Sequence, residues 1–141
     1  MIDRVWNYFR GACSMGAGVL SFVYGEMTPL LITLFVIIVL DYITGVLKAF
    51  ITKELSSNIG FRGILKKVLI LCVVGLAHLI DICVGSGETW RNIAVVFYIC
   101  NEGLSILENA VACGLPVPKG IKNALKTLEK EGDGNGNKND V

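Results

Sequence analysis

The sequence lacks the residue patterns by which most enzymes and metal proteins are recognised. Its five cysteines are odd in number and form no C-x-x-C pair, so neither a zinc site nor a thiol redox motif is indicated. No nucleophile stands with a base, and no phosphate loop or metal-ligand spacing occurs. The cysteines lie mostly in apolar segments and are interpreted as small packing residues. We therefore expect no catalytic residue, no metal and no cofactor.

Charge is also scarce, because Asp, Glu, Lys and Arg together make up 18% of the residues and the net charge is +1. The basic residues stand between apolar runs and form no separate basic domain. A nucleic-acid partner is therefore not expected.

Apolar residues dominate instead, with 53% hydrophobic content and a mean hydropathy of +0.62. A helix needs about 20 mostly apolar residues to cross a bilayer, and stretches 27–51, 68–84 and 90–113 are apolar enough to enter one. The predicted fold is an all-α integral membrane protein, a bundle of three to four transmembrane helices in a single membrane domain, 1–131. The spans are placed at about 29–50, 64–84 and 90–113.

A further apolar segment, 11–25, leaves the number of spans open. It holds fifteen residues between Arg10 and Glu26 and is rich in small side chains, which is short for a full crossing. Four spans place both termini inside. A three-span arrangement, with this segment in the membrane interface and the amino terminus outside, is the alternative.

Orientation is predicted from the basic residues that flank the spans, by the positive-inside rule. A cytoplasmic basic loop is expected between stretches 27–51 and 68–84, formed by Lys53, Arg62, Lys66 and Lys67. Lysines after the last span place the carboxyl terminus in the cytoplasm as well. Residues 118–131 predict a short basic amphipathic helix on the inner leaflet, with a solvated helix as the alternative. Residues 132–141 are rich in Gly and Asn and are expected to be a disordered tail.

Polar residues inside the apolar stretches are the candidate functional residues, because charges within spans mark pathways or helix contacts. Each has two interpretations: a static contact between helices, or a lining of a water-filled path. For His78 and Asp81, which can hydrogen-bond at a spacing of three, local capping or solvation at the membrane interface is favoured. The candidate pore or helix-contact residues are Asp41, Gly45, His78, Asp81, Asn101, Glu102, Ser105, Glu108 and Asn109.

Five sequence blocks resemble those of a known family in their order along the chain. They are DYITG at 41–45, SSNIGFRGILKK at 56–67, HLID at 78–81, NEGLSILEN at 101–109 and GLPVP at 114–118. In these blocks the chain resembles the phage lysis and toxin-secretion holins of Gram-positive bacteria and their phages, over roughly residues 30–128.

The resemblance implies a protein of the bacterial cytoplasmic membrane that forms homo-oligomers in the lipid bilayer. It also implies that the oligomer opens a lesion through which an endolysin or a toxin leaves the cell. Two alternatives use the same spans. One is an antiholin that restrains a second holin, and the other is a small transporter or scaffold subunit that forms no macromolecular pore.

Overall fold

The structure is a computed structural model that describes residues 2–132, and helices make up nearly all of that range. The helices are α1 (Ile2–Tyr24), α2 (Pro29–Ile51), α3 (Ser57–Val84), α4 (Thr89–Ala112) and α5 (Lys119–Gly132). No strand occurs between residues 2 and 132. The all-α prediction and the short carboxyl-terminal helix are therefore confirmed. The tail predicted at 132–141 lies outside the described residues, except for Gly132 at the end of α5.

Short polar or glycine-containing connections set the ends of the helices. The Thr28 hydroxyl accepts a hydrogen bond from the amide of Leu31 (3.3 Å), and Pro29 follows at the first helical position of α2, where its missing N–H costs nothing. The hydroxyl of Ser56 caps α3 in the same way. Gly85 ends α3 in the left-handed conformation, with φ of 71°, which favours glycine.

The cap at Ser56 sets the start of α3. The helix begins at Ser57, ahead of the span predicted at about 64–84, because the capped amides allow the helix to start at once. Of the four residues assigned to a basic loop, only Lys53 lies in the connection between α2 and α3. Arg62, Lys66 and Lys67 lie in α3.

Helix α4 lies between its two neighbours and packs against both α2 and α3, whereas α2 and α3 contact each other much less. Helix α1 packs on α3, and α5 packs on α4. The two ends of the bundle are named here by their connections. The Lys53 end holds residues 52–56 and the end of α4 at Ala112, and the Gly85 end holds residues 25–28 and 85–88.

The interior of the bundle follows a repeat of steps of three and four residues, which alternate except at the last step in α2, and which are typical of closely packed helices. In α2 and α3 the repeat is carried mainly by buried side chains. Their interior positions are Leu31, Leu34, Ile38, Asp41, Gly45 and Ala49 in α2, and Lys67, Ile70, Val74, Ala77 and Asp81 in α3. In α4 they are Arg91, Val95, Tyr98, Glu102, Ser105 and Asn109.

The outer surface of these three helices is apolar, as expected for helices that face lipid. Large side chains such as Leu47, Leu65 and Leu69 are exposed, while acids and a lysine occupy the interior. α2, α3 and α4 are long and apolar enough to cross a membrane. The apolar part of α1, Cys13–Tyr24, is shorter.

Candidate functional site

The most unusual feature of the interior is a lysine held between two carboxylates from two other helices. The Nζ atom of Lys67 in α3 lies 2.6 Å from Oδ2 of Asp41 in α2 and 2.6 Å from Oε2 of Glu102 in α4. The Glu102 side chain is fully buried, and those of Lys67 and Asp41 are 12% and 11% exposed. We call these three residues the ionic cluster.

Further polar groups, both neutral and charged, lie around the cluster. The side-chain amide of Asn109 donates to Oδ1 of Asp41 (3.4 Å) and to Oγ1 of Thr44 (3.2 Å). Lys66, whose side chain is 59% exposed, places Nζ 3.6 Å from Oε1 of Glu102. Both oxygens of Asp41 therefore accept hydrogen bonds. Oε1 of Glu102 accepts none from the described residues and has only the ion pair with Lys66.

The three charged residues lie at the same level in the bundle. Each is ten residues from its helix terminus at the Lys53 end, which is Ile51 for Asp41, Ser57 for Lys67 and Ala112 for Glu102. At 1.5 Å per residue this distance is about 15 Å, half the thickness of a hydrocarbon core of about 30 Å. The cluster thus lies deep within the predicted membrane region.

Burying charges at this depth is costly unless they are paired and hydrogen-bonded. Here one ammonium group neutralises part of the charge of two carboxylates and connects three helices. Breaking such a pair by removing one partner typically costs about 3–5 kcal/mol, because an uncompensated buried charge remains. The cluster therefore holds the closed bundle together only while all three residues are present.

A cavity of about 500 Å³ adjoins the cluster. It is lined by α2 and α3, with Ser105 and Asn109 contributed by α4. Asp41 and Lys67 belong to its lining, and so do Ser56 and Ser57 at the Lys53 end. The cavity therefore extends along the helices from the connection at 52–56 to the ionic cluster.

A second polar group lies at the Gly85 end, where Asp81 acts as the cap of the following helix. Its Oδ1 atom accepts hydrogen bonds from the hydroxyl of Ser86 (2.6 Å) and the amide of Trp90 (3.0 Å), and Oδ2 accepts one from the amide of Arg91 (2.8 Å). These amides belong to the first turn of α4, which has no internal acceptor for them. Asp81 thus fixes α3 to α4, and the local capping interpretation agrees with these bonds.

At the same end, Arg91 joins α4 to the connection between α1 and α2. The guanidinium is fully buried, donates from Nη1 to the carbonyl of Tyr24 (2.9 Å) and to that of Glu26 (3.4 Å), and pairs with Glu88 at 2.6 Å through Nη2. The buried His78 lies beside it, facing Gly25. Its Nδ1 atom has no hydrogen-bond partner among the described residues.

The structure divides the predicted site residues into three groups. Asp41, Glu102 and Asn109 come together at the ionic cluster, with Gly45 and Ser105 lining the adjoining cavity. His78 and Asp81 lie at the Gly85 end. Asn101 is half-buried and Glu108 is exposed, so only some of the candidate residues on α4 lie in the interior.

Lys67 was missed as an interior residue because it was assigned to a loop. Its position was nevertheless visible in the sequence, since it continues the three-and-four repeat of Ile70, Val74 and Asp81 toward the start of α3. Arg91 was also missed as a binding residue. Its main acceptors are backbone carbonyls, for which the sequence offers no signal.

Within residues 2–132, no group of three or more His, Cys, Asp or Glu side chains is arranged to hold a metal ion. The carboxylates that could serve as ligands are bound to Lys67 or to backbone amides. The arrangement suits interhelical association rather than metal coordination.

Comparison with known proteins identifies the family to which the chain belongs. The model of the bacteriophage holin family matches residues 18–130, which includes all of α2, α3 and α4. This chain belongs to the bacteriophage holin family. It is a multi-pass membrane protein, and the family is one of non-enzymatic membrane pore proteins.

Relatives of this holin-family chain share most of its length. It is 46% identical to an uncharacterized 14.9 kDa protein of Clostridium perfringens, over 92% of this chain and 99% of the relative. It is 43% identical to an uncharacterized protein of Listeria innocua, covering 87% and 88%. A probable holin of Bacillus phage phi105 is 37% identical, covering 85% and 88%. No solved structure matches the chain.

Proposed function

We propose that this chain is a holin that self-associates in the bacterial cytoplasmic membrane and opens a lesion through which an endolysin or a toxin leaves the cell. The observation that carries the proposal is the ionic cluster inside a bundle whose outer surface is apolar. A protein that only had to remain in lipid would have no need for three charged residues at this depth.

The cluster offers two ways to satisfy the same polar groups. In the closed bundle, Asp41 and Glu102 bind Lys67. In a lesion the helices are separated and the same side chains face water. The surfaces that contact lipid do not change. A shift between these states requires that neighbouring copies stabilise the open one, which is why self-association is part of the proposal.

The proposed orientation has the Lys53 end in the cytoplasm. Basic residues gather at this end, including Lys48, Lys53, Arg62 and Lys119, and the positive-inside rule assigns such an end to the cytoplasm. The carboxyl terminus is then cytoplasmic. Reporter fusions at both termini test the orientation and the role of α1, since an amino terminus outside the cell requires three spans and one inside requires four.

Expression of the chain alone tests the proposed activity. Induction should depolarise the host and allow a separately expressed endolysin to reach the cell wall, which is measured as a fall in culture turbidity. Glu102→Leu should change the onset or abolish lysis, because it leaves Lys67 with one carboxylate fewer. Glu108→Leu is the control, since Glu108 is exposed and outside the cluster.

Two other results would contradict the proposal and identify a different role. Retention of cytoplasmic proteins after induction, with the chain present in the membrane, favours a transporter or scaffold subunit. Failure to lyse alone, combined with delayed lysis by a second holin, identifies an antiholin.

A further inference from the structure

Three glycines, Gly45, Gly60 and Gly63, line the cavity beside the ionic cluster. A Cβ atom added to Gly45 would have its nearest neighbour at 3.8 Å, the side-chain nitrogen of Asn109. At Gly60 and Gly63 the nearest neighbour would be the ring or hydroxyl of Tyr42, at 3.8–3.9 Å. None of the three glycines is therefore needed for close helix contact within this copy. A small side chain at any of the three would fit without a clash at Cβ.

Most of the lining is apolar, and its polar side chains gather at the two ends of the cavity. Ser56 and Ser57 lie at the Lys53 end, and Asp41, Asn109 and Lys67 lie at the inner end. A cavity holds water when it is roomy and each water finds two to four polar partners. At about 30 Å³ per molecule in the liquid, the cavity of about 500 Å³ has room for more than one.

The exposure of Lys66 also favours water in the cavity. Its side chain is 59% exposed, although Lys66 is nine residues from the start of α3, or about 13 Å along the helix. An ammonium group at this depth is very unfavourable in lipid, and the lining of the cavity includes Lys66. Water in the cavity would hydrate this group and keep it out of lipid.

Beyond the cluster, toward the Gly85 end, the interior is apolar and closed. Buried side chains from all three spanning helices pack against one another there, with almost no exposed surface. They are Leu31, Leu34, Ile38, Ile70, Val74 and Val95. Water that reaches the cluster from the Lys53 end therefore meets a closed apolar layer.

We propose that the cavity is an aqueous vestibule, open at the Lys53 end, which lets water and small hydrated solutes reach the ionic cluster in a single closed copy. It requires no lesion and no second copy, so it goes beyond the proposed function. The vestibule ends at the apolar layer, and the closed copy therefore does not conduct.

Cysteine labelling of the full-length protein in membrane vesicles tests the vestibule. The five native cysteines are replaced, and single cysteines are introduced as Gly45→Cys and Gly63→Cys, which both have room for a side chain. Leu47→Cys and Leu65→Cys are the matched controls, since they lie two residues away on the outer surface and are exposed. Lys53→Cys reports the side of the membrane on which residues 52–56 lie.

The probe is a small, charged, membrane-impermeant thiosulfonate. We expect Gly45→Cys and Gly63→Cys to react at least about tenfold faster than their controls, because the reactive thiolate forms in water and is suppressed in hydrocarbon. Reaction should occur from the side on which Lys53→Cys reacts. Ala49→Cys, which also lines the cavity, replaces either glycine variant that fails to accumulate.

Equal, slow labelling of cavity and control positions would overturn the proposal and indicate that a lipid chain or a second copy fills the space. Labelling from the side opposite to Lys53→Cys would also overturn it, because the apolar layer would then be open. The measurement is made before any lysis, so its outcome is independent of whether the chain opens a lesion.

Discussion

Lys67 is bound to Asp41 at 2.6 Å, and this contact joins two helices that otherwise touch little. Both α2 and α3 pack mainly on α4, so the cavity between them would widen freely without a direct connection. The ammonium group provides that connection and also binds Glu102 of α4. The stability of the closed bundle should therefore depend on Lys67 more than on any other single lysine.

Replacing Lys67 with methionine should destabilise the closed bundle by about 3–5 kcal/mol, because two buried carboxylates lose their common counter-ion. Thermal unfolding of the purified protein in detergent measures the change. Lys66→Met is the control, since Lys66 is largely exposed and lies 3.6 Å from Glu102. The Lys66 ammonium keeps its contact with solvent, so its loss should cost much less than that of Lys67, closer to the roughly 0–1 kcal/mol of a surface ion pair. Equal losses for the two variants would contradict the prediction.

Removing all charges of the cluster together should restore most of that stability. In the triple variant Asp41→Asn, Lys67→Met, Glu102→Gln, no uncompensated charge remains, and a buried amide costs far less than a buried unpaired charge. We expect its unfolding temperature to lie much nearer to wild type than that of Lys67→Met. A triple variant as unstable as the single one would show that the cluster contributes through its shape rather than its charge.

Gly25→Ala should loosen the packing of Arg91 and His78 against the connection between α1 and α2. Gly25 has φ of +72°, and an added Cβ atom would lie 2.6 Å from Nη1 of Arg91 and from Cε1 of His78. Gly85→Ala is a matched control, because Gly85 has nearly the same φ and no atom within 4 Å of an added Cβ. Backbone strain alone costs about 1–2 kcal/mol. We expect thermal unfolding to show a clearly larger loss for Gly25→Ala than for Gly85→Ala.

Asp81→Ala should destabilise the junction of α3 and α4. Two backbone amides in the first turn of α4 lose their acceptor, at a cost of about 1–3 kcal/mol. Ser86→Ala removes one of the donors to Asp81 and leaves both amides satisfied, so its effect should be smaller. Proteolysis within residues 85–88, compared between the two variants, measures local opening. Equal cleavage would contradict the capping role.

The sequence predicted the helices well and their interior contacts only in part. Hydropathy located α2, α3 and α4, because the apolar runs are long and have few interruptions. Asp41 and Glu102 were selected because acids in such runs need partners. Lys67, their actual partner, was not selected, because it was counted among the cytoplasmic charges. The three-and-four repeat that runs back from Asp81 through Val74 and Ile70 would have placed it in the interior. The carbonyl contacts of Arg91 depend on how residues 24–26 fold, which no local pattern reports.

Loss of the membrane potential should bring lysis forward, if the ionic cluster moves through the field when the bundle opens. Ionised Asp41, Lys67 and Glu102 together carry a charge of −1, from two acids and one base. Moving one charge through 100 mV corresponds to about 2.3 kcal/mol, which is comparable to the contribution of one buried contact.

The test adds an uncoupler to induced cultures before the usual onset of lysis and records turbidity. Wild type should lyse soon after the addition. The triple variant Asp41→Asn, Lys67→Met, Glu102→Gln should respond less, because the same three positions carry no charge. Lysis timing that does not change when the uncoupler is added to wild type would refute the coupling. If the uncoupler brings lysis of the triple variant forward by the same time, the response to the membrane potential comes from charges outside the cluster.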